Sequence, residues 1–184
     1  DTMEITDKIA QDVMKNVMKY AKILKKDPEN YEARAEIMWC GSLSHNGLTG
    51  CGTCGGDWAT HLIEHELGGM FDVAHGAGLA AVWGSWARYV MDEKPERFAQ
   101  FAVDVMGVEE SDDVKSTALK GIEAVEEFYR MIEMPTNMKE LGIDPTDEQI
   151  KDMAMKATNH DTQQLGAFKK LSAKDLVEIY KTAK

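Results

Sequence analysis

The stretch "ITDKIAQDVMKNVMKYAKIL" (residues 5–24) has apolar side chains at steps of three and four residues. This spacing puts them on one face of an α-helix, and they are Ile5, Ile9, Val13, Val17, Tyr20 and Leu24. Acidic residues lie near the start of this helix and lysines near its end, where each charge complements the helix dipole. The stretch therefore predicts a long amphipathic helix that buries one face.

Helical spacing continues along most of the remaining chain. Asp27-Pro28 resembles an N-cap followed by a proline at the first helical position, which predicts a second helix from there to about His45. The next helices are predicted over about residues 57–67, 74–91, 95–107 and 114–132. In this scheme, Gly68-Gly69 ends the helix that begins near Asp57, because glycines cannot continue a helix cheaply.

Two capping boxes predict the last helices. Thr146 is followed three residues later by Gln149, and Ser172 by Asp175. Residues 47–56 are rich in glycine and residues 158–170 are polar, so both are predicted to be loops, and no segment alternates for long enough to be a confident strand. We therefore predict an all-α fold, a multi-helix bundle of seven to nine helices forming a single domain over residues 1–184.

Composition excludes several classes of function. The chain has 184 residues and a net charge of −11, which argues against nucleic acid and against an anionic membrane surface as partners. It contains no run of about 18 apolar residues, as a membrane span would require. No basic-then-apolar leader is visible, and we predict a cytoplasmic protein. Because the chain begins with Asp rather than Met, we expect it to be part of a longer protein.

The three cysteines are Cys40, Cys51 and Cys54. The pair Cys51-Gly-Thr-Cys54 has the spacing of half a zinc ribbon or of a redox motif. There is no second pair, and no βαβ pattern surrounds this one. The sequence therefore favours reduced thiols without a catalytic role.

Three of the five histidines lie within 15 residues, at His61, His65 and His75. His61 and His65 are four residues apart, so they share one face of a helix. If the chain reverses at the glycines, His75 returns toward His61, and two imidazoles can then bind one divalent cation such as zinc, iron, nickel or copper. We predict a metal site there, whereas His45 and His160 have no spacing that recommends them. The alternative is a cluster of core histidines that binds no ligand.

A different metal site is also compatible with these letters. His61-Leu-Ile-Glu64-His65 matches H-x-x-E-H, a zinc-peptidase pattern in which Glu64 would activate water. An acidic third ligand would come from Glu133 or Glu140. This pattern leaves His75 and the glycines without a role. Nearby aromatic residues are predicted to be core, with one or two walling a substrate pocket, and they are Trp58, Trp83, Trp86 and Tyr89.

Three segments resemble the iron-dependent alcohol dehydrogenases, and in particular their butanol dehydrogenase-like branch. "ATHLIEHELGGMFDVAHGAGLAAVWGSWARYV" (Ala59–Val90) resembles the signature region of the family. "PENYEARAEIMWCGSLSHNGL" (Pro28–Leu48) is similar to the stretch just upstream, and "LGAFKKLSAKDLVEIYK" (Leu165–Lys181) to the C-terminal end. The resemblance implies a helical C-terminal domain with a dehydroquinate synthase-like fold. The resemblance also implies an N-terminal domain that binds NADH or NADPH, which we expect to be absent from this chain.

The resemblance also implies roles for the histidines. His61 and His75 match two metal ligands for Fe(II) or Zn(II), while His65 matches a residue beside the nicotinamide that can relay a proton. The other two ligands, an Asp and a His four residues apart, would lie upstream of Asp1. The expected function is interconversion of a small alcohol and its aldehyde by hydride transfer, with the metal as Lewis acid, in a full-length homodimer. By itself this fragment is expected to be inactive. The alternative is a stand-alone helical interaction module.

Overall fold

The computed structural model describes residues 3–53 and 55–184, and this part of the chain contains eight α-helices and no strand. The helices are α1 (Glu4–Lys26), α2 (Tyr31–His45), α3 (Ala59–Phe71), α4 (His75–Val90), α5 (Pro95–Asp104), α6 (Val114–Met131), α7 (Asp147–Ala157) and α8 (Ala173–Ala183). Short 3-10 turns follow α2 and α4, at Leu48–Gly50 and Met91–Glu93. The all-α prediction is confirmed. Cys54, and with it the Cys51–Cys54 pair, lies outside the described residues.

Helices α1 and α2 form an antiparallel hairpin. The predicted start of α2 at Asp27-Pro28 is wrong, because α2 begins at Tyr31 and Asn30 is its N-cap. The Asn30 side-chain oxygen accepts a hydrogen bond from the backbone N–H of Ala33, which satisfies one of the free donors of the first turn. In α1 the predicted apolar stripe is mostly half-buried, but Ile5 in its first turn is exposed.

Helix α3 runs through the two glycines that were predicted to end it. It continues to Phe71, and the reversal occurs at Asp72, which adopts a left-handed conformation with φ of +53°. The backbone N–H of Asp72 donates to the carbonyl oxygen of Gly68 and closes the helix end. Gly68 does not form the turn, and a Cβ there would make a tight contact of 3.3 Å with the Glu64 carboxylate one turn earlier in α3.

The later helices follow the predictions more closely. Helix α5 ends at Asp104 rather than at Gly107, and Gly107 closes the turn beyond it with a φ of +71°. Both predicted capping boxes are formed at the starts of α7 and α8. The loop predicted over 158–170 is confirmed, with one isolated bridge between Leu165 and Leu171.

The main core lies where α3 and α4 pack against α7 and α8. Ile63 and Leu67 of α3 and Tyr180 of α8 are fully buried there. A second pair of helices, α5 and α6, crosses closely at Ala102 and Gly121. The α1–α2 hairpin is joined to α5 by a hydrogen bond from Gln11 to Asp104, 2.7 Å long. In the described part of the chain, no helix combines the length and the apolar character needed to cross a bilayer.

Candidate metal centre

Three imidazole rings meet where α3 packs against the start of α4. The centroid of the His75 ring lies 5.4 Å from that of His61 and 5.5 Å from that of His65. His61 and His65 are one turn apart in α3, and His75 is the first residue of α4. The predicted convergence of His61 and His75 is therefore present, and His65 also lies beside His75.

Local interactions fix the start of the helix that carries two of these rings. One carboxylate oxygen of Asp57 accepts a hydrogen bond from the backbone N–H of Ala59, at 2.8 Å. Its other oxygen accepts from the backbone N–H groups of Ala167 and Phe168, at 2.9 and 2.8 Å. Asp57 thus joins the start of α3 to the loop that precedes α8, and so sets the position of His61.

Glu64 is the acidic residue of the cluster, which sequence reasoning could not single out for the metal site. Its side chain is only 2% exposed, and its carboxylate is hydrogen-bonded to Nδ1 of His75. The His75 side chain is 51% exposed. The imidazole of His75 therefore lies between a buried carboxylate and the open side of the cluster.

The nitrogen Nδ1 of His61 is buried and has no hydrogen-bond partner among the described residues. Burial lowers the pKa of His61, and the neighbouring rings of His75 and His65 lower it further. The ring is therefore mainly neutral near pH 7, which is the form that binds metal ions. The edge of the Trp58 ring packs against it, with centroids 4.9 Å apart.

The cluster fits a divalent cation. Ligand atoms of Glu64, His65 and His75 lie within 4.8 Å of one another, and no other group of three His, Cys, Asp or Glu side chains within residues 3–53 and 55–184 is so arranged. His61 is not in that group, although its ring lies 5.4 Å from that of His75 and its buried Nδ1 has no hydrogen-bond partner among the described residues. Imidazole and carboxylate ligands suit iron or zinc. His45 and His160 do not join the cluster.

The peptidase arrangement is contradicted by the positions of its acidic residues. Neither Glu133 nor Glu140 belongs to the cluster. Glu133 pairs with Lys25, and Glu140 accepts hydrogen bonds from Thr136. Glu64 is buried, and its carboxylate is hydrogen-bonded to Nδ1 of His75.

The tryptophans near the histidines differ in their burial. Trp58 is 57% exposed, so its predicted core role is wrong, and it instead packs against His61. Trp83 and Trp86 are partly buried and line a cavity of about 300 Å³ between α1, α4 and α5. The pocket at the histidine cluster is separate, open and about 390 Å³ in volume, and Val73 contributes to its wall.

Comparison with known proteins supports the family that the sequence resembles. The family model described as "Fe-containing alcohol dehydrogenase family, C-terminal" matches residues 1–184. NADH-dependent butanol dehydrogenase A of Clostridium acetobutylicum is 31% identical over 178 residues, which cover 96% of this chain and 45% of that protein. The NADPH-dependent aldehyde reductase YqhD of Escherichia coli is 31% identical over 182 residues, covering 98% of this chain and 46% of that protein.

Solved structures give the same result. The crystal structure of NADH-dependent butanol dehydrogenase A from Thermotoga maritima superimposes with a TM-score of 0.90 at 34% identity. The match covers 100% of this chain and 47% of that chain. The protein described here therefore spans slightly less than half the length of the relatives that it matches.

Proposed function

Because the chain belongs to the Fe-containing alcohol dehydrogenase family, matching its C-terminal domain, we propose that it is the metal-binding half of a nicotinamide-dependent enzyme that interconverts small alcohols and aldehydes. The relatives named as butanol dehydrogenases and as an aldehyde reductase support this substrate class. The names of these relatives include both NADH and NADPH, so the proposal covers either cofactor. Since the chain spans 45% of one relative and 46% of the other, we propose that an N-terminal dinucleotide-binding domain completes the enzyme.

We propose that His61 and His75 bind the metal, Fe(II) or Zn(II), with further ligands from the rest of the protein. The observation that carries this proposal is the 5.4 Å separation of the two rings, together with the unpartnered buried nitrogen of His61. When bound, the metal supplies Lewis acidity, which polarises the oxygen of the alcohol or aldehyde.

The protein's own residues then position the reactants and move a proton. His65 is exposed, and its ring centroid lies 5.5 Å from that of His75. We propose that it lines the nicotinamide site and exchanges a proton between the substrate oxygen and solvent, as an imidazole can near neutral pH. Trp58 packs against the His61 ring, with the two centroids 4.9 Å apart.

The test uses the complete protein produced from its full gene. The metal is removed with a chelator and replaced by Fe(II) or Zn(II), and oxidation of NADH or NADPH is followed with butanal as substrate. We expect activity only with a metal and a nicotinamide cofactor. His61→Ala and His75→Ala should lose bound metal and activity, whereas His65→Ala should retain the metal and lose turnover.

The matched control is His160→Asn. His160 lies in a loop with a φ of +57°, a conformation that asparagine tolerates, and it is outside the histidine cluster. This variant should keep both metal and activity. Full metal content in a His61→Ala/His75→Ala double variant would contradict the assignment of these ligands.

A further inference from the structure

We propose that Glu64 is a positioning residue, whose buried carboxylate accepts the Nδ1–H of His75 and so presents Nε2 of that ring to the metal. The inference rests on the proposed function, because it takes His75 to be a metal ligand. The proposal gives Glu64 a role, and neither the family match nor the names of the relatives assigns one to it.

The hydrogen bond between Glu64 and His75 is the first support. Burying a carboxylate is costly unless it is hydrogen-bonded, and Glu64 is 2% exposed within a helix whose other buried residues are apolar. Its side chain has one hydrogen-bond partner among the described residues, Nδ1 of His75. If this position only filled space in the core, an apolar side chain would cost less free energy to bury than a carboxylate. The carboxylate therefore points to a role at His75.

The packing around Glu64 is the second support. A Cβ on Gly78 would lie 2.5 Å from Oε1 of Glu64 and 2.7 Å from its Cγ. A Cβ on Gly68 would lie 3.3 Å from the same oxygen. Both glycines therefore leave the space that this side chain occupies, one in α3 and one in α4. The two helices are packed around the carboxylate, which limits its movement.

The geometry favours positioning over direct binding or base catalysis. Because Nδ1 of His75 is hydrogen-bonded to Glu64, the nitrogen left for a metal is Nε2, on the opposite edge of the ring. Metal-binding histidines commonly donate their other ring N–H to a carboxylate, which fixes the tautomer and the ring orientation. Glu64 lines the pocket beside the histidines, but its side chain is only 2% exposed and its one hydrogen-bond partner among the described residues is Nδ1 of His75.

The first experiment reads the tautomer of His75 by nitrogen-15 NMR, in the complete protein without metal. The parent protein should show the Nδ1–H form. Glu64→Ala should release this constraint and populate the Nε2–H form. An unchanged tautomer in Glu64→Ala, or an Nε2–H form in the parent, would overturn the proposal.

The second experiment measures Zn(II) affinity by competition with a chromophoric chelator. Glu64→Ala should weaken binding by about 10- to 100-fold, as is usual when the hydrogen-bond partner of a ligand is removed. Gly78→Ala should weaken it similarly, because the new methyl group displaces the carboxylate without removing it. Glu64→Gln, which is nearly isosteric and tests for misfolding, should weaken binding less than Glu64→Ala.

The control for Gly78→Ala is Gly84→Ala in the same helix. A Cβ at Gly84 would overlap the carboxylate of Glu126, so it creates a comparable clash away from His75. This variant should keep the parent's Zn(II) affinity. If Gly84→Ala weakens binding as much as Gly78→Ala, the effect reflects general distortion of α4 and the proposal fails.

Cobalt substitution separates positioning from direct binding. The ligand-field spectrum of the Co(II) protein should be retained in Glu64→Gln if the carboxylate is not a ligand, and a changed spectrum would overturn the proposal. Failure of the proposed function is distinguished by His75→Ala: unchanged Zn(II) affinity in that variant refutes the metal site itself. If His75→Ala weakens binding but Glu64→Ala does not, only the role of Glu64 is refuted.

Discussion

The hydroxyl group of Tyr180 in α8 donates a hydrogen bond of 2.7 Å to the backbone carbonyl oxygen of Ile63 in α3. Both residues are fully buried, and Ile63 lies between His61 and His65 in the sequence. Burial raises the pKa of the Tyr180 hydroxyl far above its usual range, so the group remains a donor at any ordinary pH. The last helix of the chain is thus attached directly to the helix that carries two of the clustered histidines.

Tyr180→Phe removes this hydrogen bond while keeping the ring. We expect the free energy of unfolding to fall by about 1 kcal/mol, the usual net value of one hydrogen bond. Urea-induced unfolding of the protein measures the change. The control is Tyr31→Phe, because Tyr31 is 82% exposed and the same atom is removed without loss of a buried contact. Equal stability changes in the two variants would contradict the role of the Tyr180 bond.

The pair Tyr89 and Asp175 makes the free energy of unfolding depend on pH in the alkaline range. The Tyr89 hydroxyl donates a hydrogen bond of 2.6 Å to Asp175, and this bond, with burial and the nearby carboxylate charge, raises the pKa of Tyr89 from 10.0 to about 12. The folded protein therefore retains a proton that the unfolded chain loses above about pH 10. The stabilisation is complete below about pH 10 and is lost as the pH rises through about 12.

Tyr89→Phe isolates this contribution, because the other raised tyrosines, Tyr129 and Tyr180, stay in place. The measurement is the free energy of unfolding of the parent and of the variant across the alkaline range. Their difference should be largest below about pH 10 and should shrink toward pH 12. A constant difference across this range would show that Tyr89 does not couple its proton to folding.

Much of the fold was predictable from apolar spacing and capping residues. The stripe that begins at Val114 predicts α6, and the Thr146–Gln149 and Ser172–Asp175 boxes predict the starts of α7 and α8. These signals are local, since each depends on side chains within one or two turns. They were therefore readable without knowledge of tertiary packing.

The errors have a common physical cause. Gly68 was expected to break α3, but the helix continues through it, because tertiary packing against α4 and α7 outweighs the low helix propensity of glycine. Packing between helices also determines the role of Glu64, because its distance from His75 depends on how α3 and α4 meet. Sequence spacing predicted which histidines converge, but it could not select one carboxylate from 32 acidic residues.

The start of α2 gives a prediction about capping. Asn30→Ala removes the side-chain acceptor for the N–H of Ala33, and we expect a loss of about 1 kcal/mol in the free energy of unfolding. Asp27→Ala is the matched control, because the Asp27 side chain accepts only an exposed hydrogen bond, from the Asn30 side chain, and its backbone contacts are unchanged by the substitution. Chemical denaturation of both variants measures the difference. A larger loss in Asp27→Ala would place the cap at the residue that the sequence alone suggested.

The crossing of α5 and α6 depends on Gly121. A Cβ there would overlap the Cβ of Ala102 and lie 2.9 Å from its Cα, so the added methyl group meets backbone that cannot rotate away. Alanine favours helices over glycine by up to about 1 kcal/mol, but overpacking a core costs about 1–3 kcal/mol. We therefore expect Gly121→Ala to lower the midpoint of thermal unfolding.

Gly41→Ala tests the same exchange without the steric conflict. Gly41 lies inside α2, and a Cβ there would meet no atom within 4 Å, so only the gain in helix propensity remains. This variant should be as stable as the parent or more stable by up to about 1 kcal/mol. Opposite signs in the two variants would show that close approach of α5 and α6, and not helix propensity, selects glycine at position 121. If Gly121→Ala were stabilised as much as Gly41→Ala, the two helices would have room for the methyl group, contrary to the packing described here.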